Sequence, residues 1–263
     1  MIIDGRALAK EVLAHAKTRA EKLSRRPNIL AYVAPDETPA TRSYIKSKAR
    51  SAEEAGCDFE ETRSLTFSSR ADAIIVQLPL PSELNTADIL NSIPLEQDAD
   101  VLSSSSRTLF EKGHPFLLPP VVGAVRKILE FGNVEVKGKK VVVIGRGFLV
   151  GAPVATWLRQ QGAEVIVVNR STENFSETLR NADIIVSGAG YSHFIKPEML
   201  KDGVVLIDAG TSESGGALAG DADPACAEKC SIFTPVPGGV GPIAVACLFG
   251  NVVILAERAM NIT

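Results

Sequence analysis

Apolar runs of strand length alternate with segments of helical period from one end of this chain to the other, and that alternation restricts it to an α/β fold. The pattern is cleanest after Lys140, where residues 141–144, 165–168, 184–187 and 204–207 form runs apolar enough to be buried on both faces, as parallel strands require. Earlier in the chain, Asp4 precedes a helix with Leu8, Val12, Leu13 and Ala16 on one face, and a strand follows at residues 29–33. Thr38 reads as an N-cap with Pro39 at the first helical position, opening a helix to about residue 55. A further strand at residues 73–76 is ended by the prolines of residues 77–81. A chain of 263 residues accommodates two domains, and Pro119 and Pro120, ahead of a helix carrying Val125, Ile128 and Leu129, mark the boundary near residues 118–122. The expected architecture is an N-terminal α/β domain over 1–120, a C-terminal Rossmann-type parallel-sheet domain over 121–242, and a cleft between them. A last helix over 243–263 is expected to pack back on the first domain.

Composition excludes several classes of function. A net charge of −3 with no basic stripe argues against a nucleic-acid partner and leaves small molecules. The start of the chain lacks the basic-then-apolar layout of a signal peptide, and Cys57, Cys226, Cys230 and Cys247 are few and scattered, so a reducing cytoplasm is expected. The most apolar stretch, residues 242–256 with Gly250 and Asn251 inside it, reads as a buried helix too short for a bilayer, so no membrane contact is expected. No metal site is expected either: His15, His114 and His193 are isolated, and Cys226 with Cys230 has no second ligand pair.

The segment after the strand at 141–144 carries the most specific chemistry. Gly145, Gly147 and Gly151 are spaced G-x-G-x-x-x-G between that strand and a helix over about 152–161. Glycines there let a turn close and let backbone N–H groups approach a pyrophosphate at the positive end of the helix. Gly145, Arg146, Gly147, Val150 and Gly151 are therefore candidate dinucleotide contacts; packing of helix on sheet is the plainer use of the same glycines. At the end of the next strand, Asn169-Arg170-Ser171 stands where an NAD site places a carboxylate for the ribose 2′-hydroxyl. A cation and a hydroxyl suit a 2′-phosphate, with Arg146 in reach, so the expected cofactor is NADP. Read without a ligand, the same three residues are a polar strand end.

In the first half, Tyr44 and Lys48 lie four apart and share a helix face. Gln77 leaves the C-terminal end of a strand, the edge where open α/β sheets bind ligands. Asp98 and Asp100 occupy a polar loop. By spacing alone Tyr44 and Lys48 read as surface packing, and Asp98 and Asp100 as turn chemistry.

Taken together, the segments resemble the bifunctional methylenetetrahydrofolate dehydrogenase/methenyltetrahydrofolate cyclohydrolase family. The resemblance spans nearly the whole chain and rests on Tyr44-x-x-x-Lys48, the Val-Gln-Leu-Pro-Leu-Pro of residues 76–81, Asp98-Ala99-Asp100, the loop over 145–153 and the Thr-Pro-Val-Pro-Gly-Gly-Val-Gly-Pro of residues 234–242. It implies an enzyme of one-carbon metabolism that oxidises 5,10-methylenetetrahydrofolate with NADP and hydrolyses the product to 10-formyltetrahydrofolate. Lys48 is then the catalytic residue of hydrolysis, supported by Tyr44 and Gln77; Asp100 binds the pterin, and the turn of Pro237, Gly238 and Gly239 brings backbone close to folate or cofactor. A homodimer is implied too. The chemistry agrees: hydride loss from the one-carbon bridge leaves a delocalised cation and mainly needs alignment, whereas hydrolysis needs an activated water. An ammonium beside a cationic substrate in a partly dry cleft gives up its proton more readily.

Several positions depart from the family pattern. Gly147 replaces a usual Ser, Asn169-Arg170-Ser171 replaces His-Ser-Arg or similar, and Val101 replaces the Gly after the second Asp. Val121 and Val122 fall in a segment that is Pro-Cys-Thr-Pro in the family, Ile243-Ala244 replaces Met-Thr, and the stretch between Cys57 and Ala73 is short. Two alternatives therefore stay open: a monofunctional dehydrogenase acting on folate or a related pterin, and a non-catalytic NADP-binding relic of the fold.

Overall fold

The structure, a computed structural model, describes residues 1–35, 37–65, 70–214 and 217–260. The chain divides into two compact units, one of Ala9–Pro120 with Val245–Thr263, the other of Met1–Leu8 with Val121–Ala244.

Helix α1 (Gly5–Ala20) opens where the Asp4 carboxylate accepts from the N–H groups of Arg6 and Ala7, both at 3.0 Å. In the first unit, β1 (Asn28–Tyr32) is followed by α2 (Pro39–Glu54), β2 (Asp58–Thr62), β3 (Ala73–Val76), α3 (Thr86–Asn91) and α4 (Ser104–Glu111). The hydroxyl of Thr38 caps α2 by accepting from the N–H of Thr41 at 3.1 Å, with proline at the first helical position. The sheet is parallel with order β2-β1-β3, and Tyr32, Ile74, Val76, Leu90, Ile93 and Leu102 form a core against it. Strand β2 is an addition to the strands read from the sequence. Among the described residues it pairs only with β1, and Asp58, Glu60 and Glu61 are exposed, so it lacks the apolar alternation that marks a half-buried strand.

The second unit contains α5 (Pro120–Phe131), β4 (Lys140–Ile144), α6 (Gly151–Gln160), β5 (Glu164–Val168), α7 (Phe175–Arg180), β6 (Ile184–Ser187) and β7 (Val204–Asp208). An antiparallel pair, β8 (Ser212–Ser214) and β9 (Ala217–Ala219), precedes β10 (Cys230–Phe233). Five parallel strands run in the order β10-β7-β6-β4-β5 over a core that includes Val142, Ile144, Val168, Leu179, Ile185, Ile195, Leu206 and Phe233. This is the doubly wound arrangement, with the chain reversing direction across the sheet between β4 and β6.

Residues 1–8 group with this second unit, whereas the sequence assigned all of 1–120 to the first. The cause is backbone pairing beside β10. The terminal ammonium donates to the Ser231 carbonyl at 2.7 Å, the N–H of Ile3 to the Phe233 carbonyl at 2.9 Å, and the N–H of Phe233 to the Met1 carbonyl at 2.9 Å.

The last helix, α8 (Val240–Ala259), begins three residues before the 243 expected and extends past the apolar stretch 242–256; at 20 residues, with an 18-residue window of mean hydropathy 1.9, it is long and apolar enough to cross a membrane by length and composition. Within the first unit, however, its polar residues have fixed protein partners. The side-chain amide of Asn251 donates to the carbonyls of Ala99 at 2.8 Å and Leu118 at 2.9 Å, the Arg258 guanidinium lies 3.9 Å over the Phe116 ring, and Arg19 Nε donates to Glu257 at 2.9 Å. Asn251 does not interrupt the helix because its amide ties down two carbonyls that burial would otherwise leave unpaired. Replacing it by Leu is expected to lower stability by about 2 kcal/mol, the usual scale for stranded buried acceptors, read as a lower urea midpoint. An unchanged midpoint would show that the two carbonyls find other partners.

Candidate functional site

The C-terminal ends of β4 and β6 form the switch point of the five-stranded sheet, the place where open α/β sheets bind ligands. Gly145 leaves β4 with φ +101, and a Cβ there would lie 2.9 Å from the carbonyl oxygen of Gly188, just after β6. A Cβ on Gly151, the first residue of α6, would come within 2.2 Å of the Gly145 carbonyl oxygen, whereas one on Gly147 meets nothing within 4 Å. The first and third glycines thus close the turn and seat the helix, and the middle one faces open space. Val150 packs its side chain on Gly188, and Arg146 is exposed. No side chain caps α6; the Ala152 N–H is taken by the Gly147 carbonyl at 3.1 Å and Pro153 has none, so the positive end of the helix meets an anion chiefly through the Gly151 N–H. These features fit a dinucleotide pyrophosphate.

At the end of β5, Asn169 organises the loop: its side-chain oxygen accepts from the backbone N–H of Ser171 at 2.9 Å and from the Ser171 hydroxyl at 2.8 Å. Arg170 and Ser171 are exposed, and the Arg170 guanidinium lies 3.6 Å over the ring of Tyr191.

The first unit has its own switch point, between β1 and β3, and Gln77 sits there with its backbone N–H bonded to the Tyr32 carbonyl at 2.9 Å. The half-buried Lys48, on α2, donates to Gln77 Oε1 at 3.0 Å. Gln77 Nε2 donates to the Leu78 carbonyl at 2.7 Å, which fixes the amide with its oxygen toward the lysine. Asp98 bridges to Ile74 in parallel sense, and the chain then turns through Asp100, the Val101 N–H donating to the Asp98 carbonyl at 3.3 Å. Burial pushes the Asp100 carboxyl above its ordinary range, a rise opposed by the Lys48 ammonium, increased by Asp98 and opposed again by Arg107. Lys48, Gln77 and Asp100 therefore form one polar group; Tyr44 lies one turn earlier on α2, 49% exposed.

Val101 explains one departure. It sits at φ +58, a left-handed conformation that glycine adopts freely and a β-branched residue resists. The turn is held from outside the residue. The Asp98 carboxylate accepts from the N–H groups of Leu102 at 3.0 Å and Ser103 at 2.8 Å, and Arg107 Nε donates to the Val101 carbonyl at 2.8 Å. The backbone keeps a glycine's geometry without the glycine.

The turn of Pro237, Gly238 and Gly239 packs on the chain itself. Gly5 donates its N–H to the Gly238 carbonyl at 2.9 Å, and a Cβ on Gly5 would lie 1.9 Å from the Gly239 carbonyl oxygen. Gly239 is enclosed as well, by Pro235 and Thr234; a Cβ on Gly238, at φ +103, meets nothing. Of the three residues read as ligand contacts, Gly239 serves internal packing and Gly238 faces open space. Gly5, a lone glycine ahead of a helix, carried no signal of this role.

Sequence reasoning also missed a buried pair of carboxylates, Asp208 at the end of β7 and Asp221. Asp221 accepts from the Ser187 hydroxyl at 2.6 Å and from the N–H groups of Ala189 at 2.7 Å and Tyr191 at 2.8 Å, which fastens the loop after β6. Asp208 accepts from the N–H groups of Gly210 at 2.9 Å and Ala222 at 2.8 Å. Burial moves the Asp208 carboxyl from its ordinary 3.8 up to about 7, against the Ala222 N–H bond and with the help of Asp221. Because the folded state holds this proton longer than the unfolded chain, the group's stabilisation is complete below pH ~4 and is lost as pH rises through about 7. The expected slope within that window is up to about 1.4 kcal/mol per pH unit, and Asp208→Asn removes it. Denaturant midpoints across the window check this; an equal slope in the variant assigns the dependence elsewhere.

The glycine loop at one sheet's switch point and the lysine-centred polar group at the other's define a two-unit α/β dinucleotide-binding protein. Comparison with known proteins narrows this. Residues 119–260 match the family model described as "Tetrahydrofolate dehydrogenase/cyclohydrolase, NAD(P)-binding domain". The chain is 35% identical to the bifunctional protein FolD of Thermotoga petrophila over 98% of this chain and 99% of that one, and 33% identical to FolD of Lactococcus lactis over 99% and 98%. Among solved structures, the bifunctional FolD methylenetetrahydrofolate dehydrogenase/cyclohydrolase of Campylobacter jejuni superimposes with a TM-score of 0.93 at 31% identity, covering 98% of this chain and 99% of that one. The Trypanosoma brucei FolD, complexed with NADP cofactor and inhibitor, gives 0.91 at 30% identity, covering 98% of each chain. The chain belongs to the bifunctional methylenetetrahydrofolate dehydrogenase/cyclohydrolase (FolD) family.

Proposed function

We propose that the chain oxidises 5,10-methylenetetrahydrofolate with NADP to the 5,10-methenyl cation and hydrolyses that cation to 10-formyltetrahydrofolate. The observation that carries the reading is the hydrogen bond from Lys48 to Gln77 at the ligand-binding edge of the first unit's sheet, with Asp100 in the same electrostatic group. A relic or a dehydrogenase without hydrolysis has no use for a lysine so held.

When bound, NADP supplies the acceptor for the hydride leaving the one-carbon bridge. Gly145, Arg146, Gly147, Val150 and Gly151 hold its pyrophosphate, and Asn169 shapes the loop from which Arg170 and Ser171 meet the 2′-phosphate. Asp100 binds the pterin edge, whose N–H donors favour the carboxylate form and counter the effect of burial. In hydrolysis, Lys48 in its neutral form takes a proton from the water attacking the methenyl carbon. It then returns that proton to the departing ring nitrogen as the C–N bond breaks, and the adduct's hydroxyl proton leaves to solvent as the formyl C=O forms. Gln77 keeps the lysine aimed through both transfers, Tyr44 supports it one turn away, and Pro237 and Gly238 present backbone to the ligand, with Gly239 packing the turn on the chain.

Supplying 5,10-methylenetetrahydrofolate with NADP, and separately the 5,10-methenyl compound, tests the two steps independently. Cofactor reduction and methenyl loss are both expected, and reduction without hydrolysis overturns the second half of the reading. A homodimer working in the cytoplasm, with no nucleic acid or membrane as partner, completes the proposal. It is supported by the family resemblance, by the edge strand β5 with Ile166 56% exposed, and by the net charge of −3. Light scattering tests the dimer.

A further inference from the structure

We propose that Tyr191 is a positioning residue for cofactor selectivity: its ring carries the Arg170 guanidinium and presents it to the 2′-phosphate of NADP. The inference rests on the reading of Arg170 as the 2′-phosphate partner.

The sheet order β5-β4-β6 puts the strands that end at Arg170's loop and Tyr191's loop on opposite sides of β4, roughly 10 Å apart at ordinary strand spacing. The contact between the two side chains therefore reaches across the end of β4, the strand that feeds the glycine loop. The guanidinium lies 3.6 Å from the ring centroid, well inside the range of a cation–π contact. A stacked guanidinium uses its face and leaves the N–H donors along its edge available, whereas pairing with a carboxylate would occupy them. Arg170 makes no ion pair with a carboxylate among the described residues, so the ring holds it without spending those donors.

The platform is anchored on both sides. The backbone N–H of Tyr191 donates to the buried Asp221 at 2.8 Å. Its ring meets Phe194 edge-on at 6.3 Å, and Phe194 meets Phe175, the first residue of α7, at 6.0 Å. On the opposite side, Asn169 closes the Arg170 loop through the backbone and hydroxyl of Ser171. An arginine on an exposed strand end ordinarily samples many rotamers; here a fixed ring selects among them, so less freedom is lost when phosphate binds. NAD has no 2′-phosphate and gains nothing from this arrangement.

Calorimetric titration of the full chain with NADP and with NAD tests the proposal in Tyr191→Ala, Tyr191→Phe, Arg170→Ala and the Ala/Ala double variant, with thermal midpoints measured without cofactor. Tyr191→Ala is expected to weaken NADP about fivefold, the scale of an exposed cation–π contact, and to leave NAD within about twofold. Phenylalanine keeps the ring face and restores NADP affinity, and the double variant binds NADP no more weakly than Arg170→Ala. Equal loss for both dinucleotides, or additive losses in the double variant, overturns the proposal. If Arg170→Ala leaves the ratio of NADP to NAD affinity unchanged, the reading of Arg170 itself fails and takes this inference with it. A normal Arg170 effect beside a silent Tyr191→Ala refutes the platform alone.

Discussion

Replacing Lys48 by methionine is expected to slow methenyl hydrolysis by about 10²–10⁴-fold, the usual contribution of a positioned acid–base group, while NADP-linked oxidation persists at a measurable rate. Methionine retains most of the length and apolar stem of lysine, so α2 keeps its packing, but it has no N–H for Gln77 and no group to carry a proton. Hydrolysis needs that group twice, to take a proton from water and to return it to the leaving nitrogen. Hydride transfer needs no protonated or deprotonated side chain at the carbon, because the cation formed is stabilised by its own nitrogens. The two rates separate by assay: cofactor reduction with the methylene compound, and loss of the methenyl compound supplied directly. If the variant hydrolyses at the parental rate, Lys48 has been given the wrong task. If both steps vanish together, the lysine serves to bind the folate. A Gln77→Ala variant should show a milder loss confined to hydrolysis, since the lysine stays present but unaimed.

Local chemistry made one part of the architecture readable before any coordinates. Thr38 and Pro39 are an N-cap and first-turn proline wherever they occur before a helical pattern, and the apolar run of β4 followed by Gly145, Gly147 and Gly151 has few other uses. What escaped depends on partners distant in sequence. β2 went unread because an exposed edge strand needs no apolar alternation, and the strand it pairs with lies about 30 residues earlier by the pairing Asn28↔Asp58. The first eight residues were assigned to the wrong unit because their hydrogen bonds run to Ser231, Phe233 and Gly238. Asp208 and Asp221 drew no reading from the sequence; only the fold shows them sharing a buried space with Gly210 and Gly220 pressed against their carboxylates. In the first unit, the grouping of Lys48 with Gln77 was anticipated only through a resemblance to known enzymes, since a lysine four residues after a tyrosine has too many ordinary uses.

Gly151→Ala should reduce NADP affinity by about 10–100-fold, equivalent to roughly 1.4–2.7 kcal/mol, within the cost of forcing an extra carbon into a filled space. The added Cβ would lie 2.2 Å from the Gly145 carbonyl oxygen and 2.7 Å from its carbon, both backbone atoms that cannot rotate away. Relief requires α6 to withdraw from the turn, which takes the Gly151 N–H and the positive end of the helix away from the pyrophosphate. Gly147 supplies the contrast. A Cβ there touches nothing in the chain, so Gly147→Ser, the residue usual in the family, leaves the thermal midpoint of the free protein unchanged. Gly151→Ala is expected to lower that midpoint as well, because the strand–helix turn is strained whether or not a cofactor is bound. The decisive quantity is therefore the affinity relative to the midpoint across the two variants. If Gly151→Ala binds NADP as tightly as the parent, the helix N-terminus is not what holds the pyrophosphate, and the phosphate grip must lie with the arginines at the ends of β4 and β5.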